Sequence, residues 1–395
     1  MLSRPDPRLG PWPVVPHRVS RFYRGGALLE AFRAGALEHA ARGNAAVRPD
    51  DDTDRPEDWV ASATRARPPE GEPSTDEGLG AVEIDGRHVL VRDLLDEDPE
   101  AIAGPIVRVA GATTGLLVKL LDAAVRLPVH AHPTRAFARR HLGTWFGKTE
   151  AWIVLATRTV EGEPAPHVRL GFRRDVGRGE LRALIEDERT PELLELLHHR
   201  PIAPGDAWLV PAGIPHAIGA GALILELQEP SDASILAETA GVPIGADDAH
   251  LGLGWDTTID AFDRRGLDET GLEALRGPRA PEAPRDAVFV EDPLLPVAAN
   301  PYLRALRWRV RGEARPKEEA AFVVATVLAG GGVARVDGGR RLVLRAGMSF
   351  AVPAAGLPGL VLEGDDLTVV ACLPPTPADV VRDDPQPSGD ASRVS

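Results

Sequence analysis

The stretch Gly205-Asp-Ala-Trp-Leu-Val-Pro211-Ala-Gly213 returns later in the chain as Gly347-Met-Ser-Phe-Ala-Val-Pro353-Ala-Ala355, with glycine, apolar run and proline at the same spacing. Each copy reads as turn, strand, Pro-containing turn. Two such copies require two β units of similar build. The copies differ chemically, because at the constant offset the second carries Pro358 where the first carries His216. The second unit repeats the architecture without the chemistry.

The text around the repeat agrees with a mainly β chain. Val107–Ala110, Leu116–Leu121, Val125–Val129, Ala151–Ala156, Ala207–Val210 and Ala222–Leu227 read as short strands, mostly bounded by Gly, Pro or Asp. Many short strands with turn signals predict a sandwich or jelly roll. Ala81–Val91 alternates on both sides of Gly86 and predicts a hairpin. Val14–Ala40 ends in an amphipathic segment, Ala27–Ala40. Asp50–Glu77 reads as an exposed loop interrupted by Trp59. Arg178–His199 breaks the strand pattern with leucines near helical spacing and predicts two short helices, the second starting at Thr190-Pro191. Ala246–Asp286 reads as linker with a short helix around Thr257–Asp263. Strands resume at Ala287, turn at Asp292–Pro296 and run to Pro374. The expected division is a first domain over 1–260 with a helical insertion near 178–199, a linker over 261–286, a second β domain over 287–375 and a disordered tail over 376–395.

Composition narrows the function. The 395 residues carry 45 Lys+Arg against 59 Asp+Glu, a net charge of −14, which argues against nucleic acid or an anionic membrane as partner. No apolar run is long enough to span a membrane, and Met1–Val15 lacks a signal peptide's apolar centre. The single Cys372 excludes an intrachain disulfide framework and a cysteine-based zinc cluster. No Gly-rich nucleotide fingerprint is present. A cytoplasmic metabolic protein acting on a small molecule is expected, with its oligomeric state open. Only Lys119, Lys148 and Lys317 are lysines; nearly every other positive charge is arginine. A position that keeps Lys in such a chain is a candidate for a group that must lose its proton.

The sharpest motif is Pro128-Val-His130-Ala-His132-Pro133. Histidines at i and i+2 of a strand project from one face and can share a metal ion. Gly147-Lys148-Thr149-Glu150 then leads into an apolar strand, and Pro211-Ala-Gly-Ile-Pro-His216 supplies a third imidazole just after another strand. Three imidazoles and one carboxylate suit one divalent Zn, Mn, Fe, Co or Ni ion. The remaining histidines lack such context. His198-His199 reads as the solvated end of a helix, His141 as part of an exposed basic run, and His17, His39, His88, His167 and His250 stand alone.

This order of ligands resembles the metal motifs of the cupin superfamily. Leu117-Val-Lys119-Leu-Leu-Asp122, Gly147-Lys148-Thr149-Glu150-Ala-Trp152, Pro211-Ala-Gly213-Ile-Pro-His216-Ala-Ile-Gly219, Leu225-Glu226-Leu227-Gln228 and Ser231-Asp232 resemble the type I mannose-6-phosphate isomerase family. The resemblance is strong over 117–232 and looser from about Val14 to Pro374. It implies two cupin-like β-jelly-roll domains with a helical part. It also implies one zinc held by His130, His132, Glu150 and His216, and interconversion of an aldose phosphate and a ketose phosphate. Two departures stand out. The family usually has Gln at the position of His130, so the ligand set here approaches the three-His, one-Glu set of other cupins, oxygenases included. The family also has an Arg-containing segment shortly after its Ser-Asp, thought to serve the sugar or its phosphate, whereas Ala233–Asp247 contains no Arg.

Such an isomerisation passes a proton between C1 and C2 through an enediol, and needs a base near pKa 7 and an electrophile. Lys148, two residues before Glu150, is the first candidate, because a neighbouring cation would favour its neutral form. Lys119 matches a lysine of the family; its bland reading is a salt bridge to Asp122. Glu226 alternates with Leu225 and Leu227 and so faces away from them. Trp145, Trp152 and Trp208 read as core or wall. Arg169, Arg173, Arg174 and Arg178 read as a solvated face. The alternatives to an isomerase are a three-His, one-Glu cupin of another reaction type, such as an oxygenase, or a non-catalytic metal- or sugar-binding relative.

Overall fold

The structure is a computed structural model that describes residues 6–37, 47–68, 73–279, 284 and 286–382. Among these residues the strands form three antiparallel sheets. The six-stranded sheet runs Ala207–Val210, Glu150–Thr157, Ala222–Gln228, Leu117–Ala123, Glu57–Val60, Arg18–Val19. The five-stranded sheet runs Leu197–Pro201, His167–Phe172, His216–Ile218, His130–Ala131, Ile235–Leu236. The ten-stranded sheet holds the strands after residue 288, joined by Trp12–Val15, Ala81–Ile84 and Arg87–Leu90 from the start of the chain. Trp12 lies opposite Ala351, and Val14 opposite Val82.

Alternation along the central strands decides what faces what. Leu223, Leu225 and Leu227 point into a core shared with Val324, Val370 and Cys372 of the ten-stranded sheet. Ala222 and Ile224, with Trp152 and Val154, point instead toward Val168, Leu170 and Ile218 of the five-stranded sheet. Both faces of the six-stranded sheet are covered, and every residue of Leu117–Ala123 and Ala222–Gln228 is buried. Strands covered on both faces read as continuous apolar runs. Lys119 and Glu226 are charged positions inside such runs, on the face that looks toward the five-stranded sheet. The second unit closes its own core around Trp308, Phe350 and Val369.

The repeat is built as its residues predict. Gly205 (φ 92°) and Gly347 (φ 82°) precede the strands Ala207–Val210 and Ser349–Val352. A Cβ on Gly347 would stand 2.1 Å from the Phe32 carbonyl oxygen, so only glycine fits. The Ala81–Leu90 hairpin turns through Asp85 and Gly86, both at positive φ, the conformation a tight two-residue turn needs. The helices Arg178–Glu186 and Thr190–Leu196 form the expected insertion.

Several expectations are corrected. Val107–Ala110 is helical: Pro105 opens a tight turn at Gly104–Ile106 that carries on into it, and Gly111 at φ 79° ends it. Val125–Val129 forms no strand. Pro128 has no N–H to give, and pairing starts at His130. Asp50–Glu77 is not all exposed loop. It contains the buried strand Glu57–Val60, whose charges are paired inside: Glu57 accepts from Tyr23 Oη and Trp59 Nε1, each at 2.7 Å, and Asp58 accepts from Arg33 Nε at 2.9 Å. His198 and His199 lie on the strand Leu197–Pro201, not at a helix end, and buried His198 donates from Nε2 to Leu267 O at 2.8 Å. Within Ala246–Asp286, Ile259, Phe262 and Leu272 are buried, so helical turns there pack on the β core. Pro377–Arg382 is helical, and the rest of the expected tail lies outside the described residues. The amphipathic segment is helical over Ala27–Arg33; its end at residues 38–40, with His39, also lies outside them.

Asp122 does not pair with Lys119. Its Oδ2 accepts the N–H groups of Gly26, Leu28 and Leu29 at 2.9, 2.7 and 3.2 Å, closing the start of the helix Ala27–Arg33. Asp122→Ala is expected to cost about 1–2 kcal/mol in urea denaturation, the upper range for a lost cap. An unchanged midpoint would remove this role.

Candidate metal centre

Three imidazoles meet between the five- and six-stranded sheets. His130 and His132 flank Ala131 on one edge of the five-stranded sheet's central pairing, and His216 lies directly across the ladder from His130. Ring centroids are 4.2 to 5.0 Å apart, and their ligand atoms all lie within 4.8 Å of one another. Each Nδ1 faces a backbone carbonyl: His130 to Pro128 at 2.8 Å, His132 to Ala233 at 3.1 Å, His216 to Ile214 at 2.8 Å. A carbonyl only accepts, so Nδ1 carries the proton in all three and Nε2 presents its lone pair. Burial holds His130 well below the usual imidazole range. Burial, with the Lys148 charge second, brings His132 down to about 3.

Glu150 begins its strand against two of these rings. Oε2 lies 2.9 Å from His132 Nε2 and Oε1 3.4 Å from His216 Nε2, while Trp152 Nε1 donates to Oε1 at 3.0 Å. Burial pushes this carboxyl up, but its neighbours outweigh burial and hold it well below the usual carboxylate range, with Lys148 the cation among them. Glu150 Oε2 and His216 Nε2 are buried without a hydrogen bond; the 2.9 Å approach of His132 lacks the necessary alignment. An orphaned lone pair on His216 Nε2 and an orphaned oxygen of an ionised carboxylate, with each of the three imidazoles fixed from behind, are what the donor set of a divalent cation presents. The residues present fit one.

Lys148 extends its Nζ to 3.1 Å from His132 Nε2 and 3.4 Å from Glu150 Oε2. Beyond it lies a buried ionic cluster. Lys119 Nζ stands 3.5 Å from Glu226, 3.7 Å from Glu57 and 3.7 Å from Asp232, and lies 4.6 Å from the centre of the Trp59 ring. Burial works against its charge, but the three carboxylates prevail and raise its pKa. A raised pKa favours the charged form of Lys119, which suits a cation better than the titratable amine that its rarity suggested. Burial, then the Glu150 charge, lifts Glu226 to about 7.

The structure adds residues that the sequence reading missed. Arg21 arrives from the N-terminal segment to 3.0 Å from Glu57 and 3.4 Å from Asp232, over the same Trp59 ring. The Arg67 backbone N–H donates to Asp232 at 3.0 Å. Nothing distinguished Arg21 in so arginine-rich a text. The Ser231-Asp232 pair and the isolated Trp59 were the available signals. The segment Ala233–Asp247 lacks an arginine, yet a guanidinium reaches the ionic cluster from elsewhere in the chain.

Other singled-out residues lie apart. Arg169, Arg173 and Arg174 line a cleft of about 880 Å³ beside the insertion helices, where Arg174 pairs with Glu180 at 2.5 Å and Arg189 with Glu192 at 3.1 Å. Arg178 pairs with Asp260 at 3.3 Å. Trp152 and Trp208 are core. His167 stacks on His199 at 4.3 Å, and His141 lies against Phe137 on the helix Arg135–His141.

No protein-family model matches the chain. Among solved structures, it resembles the mannose 6-phosphate isomerase of Bacillus subtilis (TM-score 0.64, 22% identity, 91% of this chain and 99% of that one). It also resembles a variant of phosphomannose isomerase from Salmonella typhimurium (TM-score 0.63, 16% identity, 92% and 99%). The chain is thus a mainly β protein of cupin-like fold carrying a three-histidine group able to hold a metal. In sequence it is 28% identical over 240 residues to a mannose-6-phosphate isomerase of Streptococcus mutans, covering 60% of this chain and 68% of the relative. It is 29% identical over 231 residues to one of Bacillus subtilis, covering 55% and 62%. The chain is a homologue of proteins named mannose-6-phosphate isomerase.

Proposed function

We propose that the chain is a metal-dependent aldose–ketose isomerase that interconverts mannose 6-phosphate and fructose 6-phosphate in the cytoplasm. The observation that carries this reading is the cradle of three Nδ1-anchored histidines and Glu150, with the Lys148 amine 3.1 Å from His132. The names of its relatives supply the substrate. His130, His132, Glu150 and His216 would hold one divalent ion, zinc by the resemblance, whose chemistry is Lewis-acid polarisation of sugar oxygens. Lys148, whose amine lies beside His132 and Glu150, would act on the reacting end of the sugar. Glu226, a carboxyl brought to about 7, is poised to take and return the proton between C1 and C2. Lys119 and Arg21 supply fixed positive charge for the enediolate or the phosphate.

The test is formation of fructose 6-phosphate from mannose 6-phosphate by the purified protein, before and after a chelator and after metal is returned. Turnover is expected to vanish with the chelator and recover with a divalent ion. Turnover on a different aldose alone would keep the reaction and change the substrate. Absence of turnover with every metal tried would leave a binding protein, and metal-dependent oxygen consumption an oxygenase.

A further inference from the structure

Glu229 follows directly on the strand Ala222–Gln228 and is fully buried. It grips Thr149, the residue between Lys148 and Glu150, from both sides. Its own N–H donates to Thr149 O at 3.0 Å, and its Oε2 accepts the Thr149 N–H at 2.9 Å. Its other oxygen accepts from Arg135 Nε at 2.6 Å. Arg135, also buried, opens the helix that begins three residues after His132. The far end of its guanidinium donates to Pro301 O at 2.8 Å, and the group lies 4.5 Å from the centre of the Tyr302 ring. Pro301 and Tyr302 lie just before Arg304–Ala314 in the ten-stranded sheet, separated from it by Leu303.

The two segments bridged by this pair are pressed together. Lys148 N–H donates to Pro133 O at 3.0 Å. A Cβ on Gly147 would come within 2.6 Å of both Pro133 O and Arg135 N. Thr149 Oγ1 also accepts the Ala212 N–H, at 3.3 Å, from the turn that leads to His216. The backbone carrying Lys148 and Glu150 is thus fixed relative to His132 and His216, and the outermost anchor belongs to the second unit.

We propose that Arg135 is a positioning residue through which the second β unit holds the Lys148 amine and the Glu150 carboxylate in register with the histidines. The inference rests on the isomerase reading for its kinetic consequence and on geometry alone for the coupling. Arginine is required because one planar fork must reach Glu229 and Pro301 at once while lying on a ring; lysine offers a single point charge.

The experiment compares Arg135→Lys, Tyr302→Ala and Tyr302→Phe with wild type and with Asp122→Ala, a variant weakened elsewhere. Arg135→Lys and Tyr302→Ala are expected to lower kcat about 10-fold, the lower range for loss of a group that orients a metal site, with KM within about 2-fold. Both are also expected to speed amide hydrogen exchange across Lys148–Glu150. Tyr302→Phe keeps the ring and is expected to match wild type. Asp122→Ala is expected to lose stability and keep kcat. Unchanged exchange across Lys148–Glu150 in Arg135→Lys, or an equal fall of kcat in Asp122→Ala, would overturn the proposal. Exchange needs no substrate, so wild-type protein inactive on mannose 6-phosphate would defeat the isomerase reading while exchange still decides the coupling.

Discussion

Alanine in place of His132 is expected to lower turnover by on the order of 10³-fold or more, the scale of several kcal/mol of metal-derived stabilisation. His132 is the imidazole most embedded in the centre: its Nε2 lies 2.9 Å from Glu150 and 3.1 Å from Lys148, and its Nδ1 is held by Ala233 O. Removing it would delete one of the proposed ligands and also the neutral ring that contacts both the Lys148 amine and the Glu150 carboxylate. Metal content of the purified variant, measured beside initial rates, checks the expectation. Full metal occupancy with wild-type rates would show that His132 is no ligand. The surrounding β core does not depend on this ring, so circular dichroism is expected to remain that of the parent.

Lys148→Arg is expected to reduce kcat by about 10²–10⁴-fold, the range for loss of a positioned general acid or base. The substitution keeps the charge, so a purely electrostatic role would survive it. A guanidinium cannot lose its proton at any pH the protein tolerates, so the variant separates charge from proton transfer. Metal binding is expected to persist, which separates this variant from His132→Ala. Activity near that of the parent would make the lysine at this position an accident of composition.

The centre was legible where chemistry follows strand periodicity. His130 and His132 share a face because side chains alternate along a strand, and Glu226 faces away from Leu225 and Leu227 for the same reason. The Gly-strand-Pro repeat was legible because glycine at positive φ and proline at a strand end leave few alternatives. The ionic cluster was not. Glu57 and Asp58 look like solvated loop residues until Tyr23, Trp59 and Arg33 are seen to satisfy them inside the fold. Nor did anything local mark Arg21 or Arg135, whose partners lie far along the chain. Val107–Ala110 misled for the opposite reason: β-branched residues suggested a strand, and a preceding proline turn decided for helix.

The placement of Trp12–Val15 between Ser349–Val352 and Ala81–Ile84 has a consequence for synthesis. Trp12 meets its partner Ala351 roughly 340 residues further on, so at about 5–20 residues per second the ribosome takes roughly 20–70 s to supply it. Until then Trp12 and Pro13 have no partner strand, and the part of the leucine-lined core that Phe322, Val324, Val370 and Cys372 supply is missing. The half that carries the three-histidine group cannot complete its core as it emerges; it waits for the strands after residue 288.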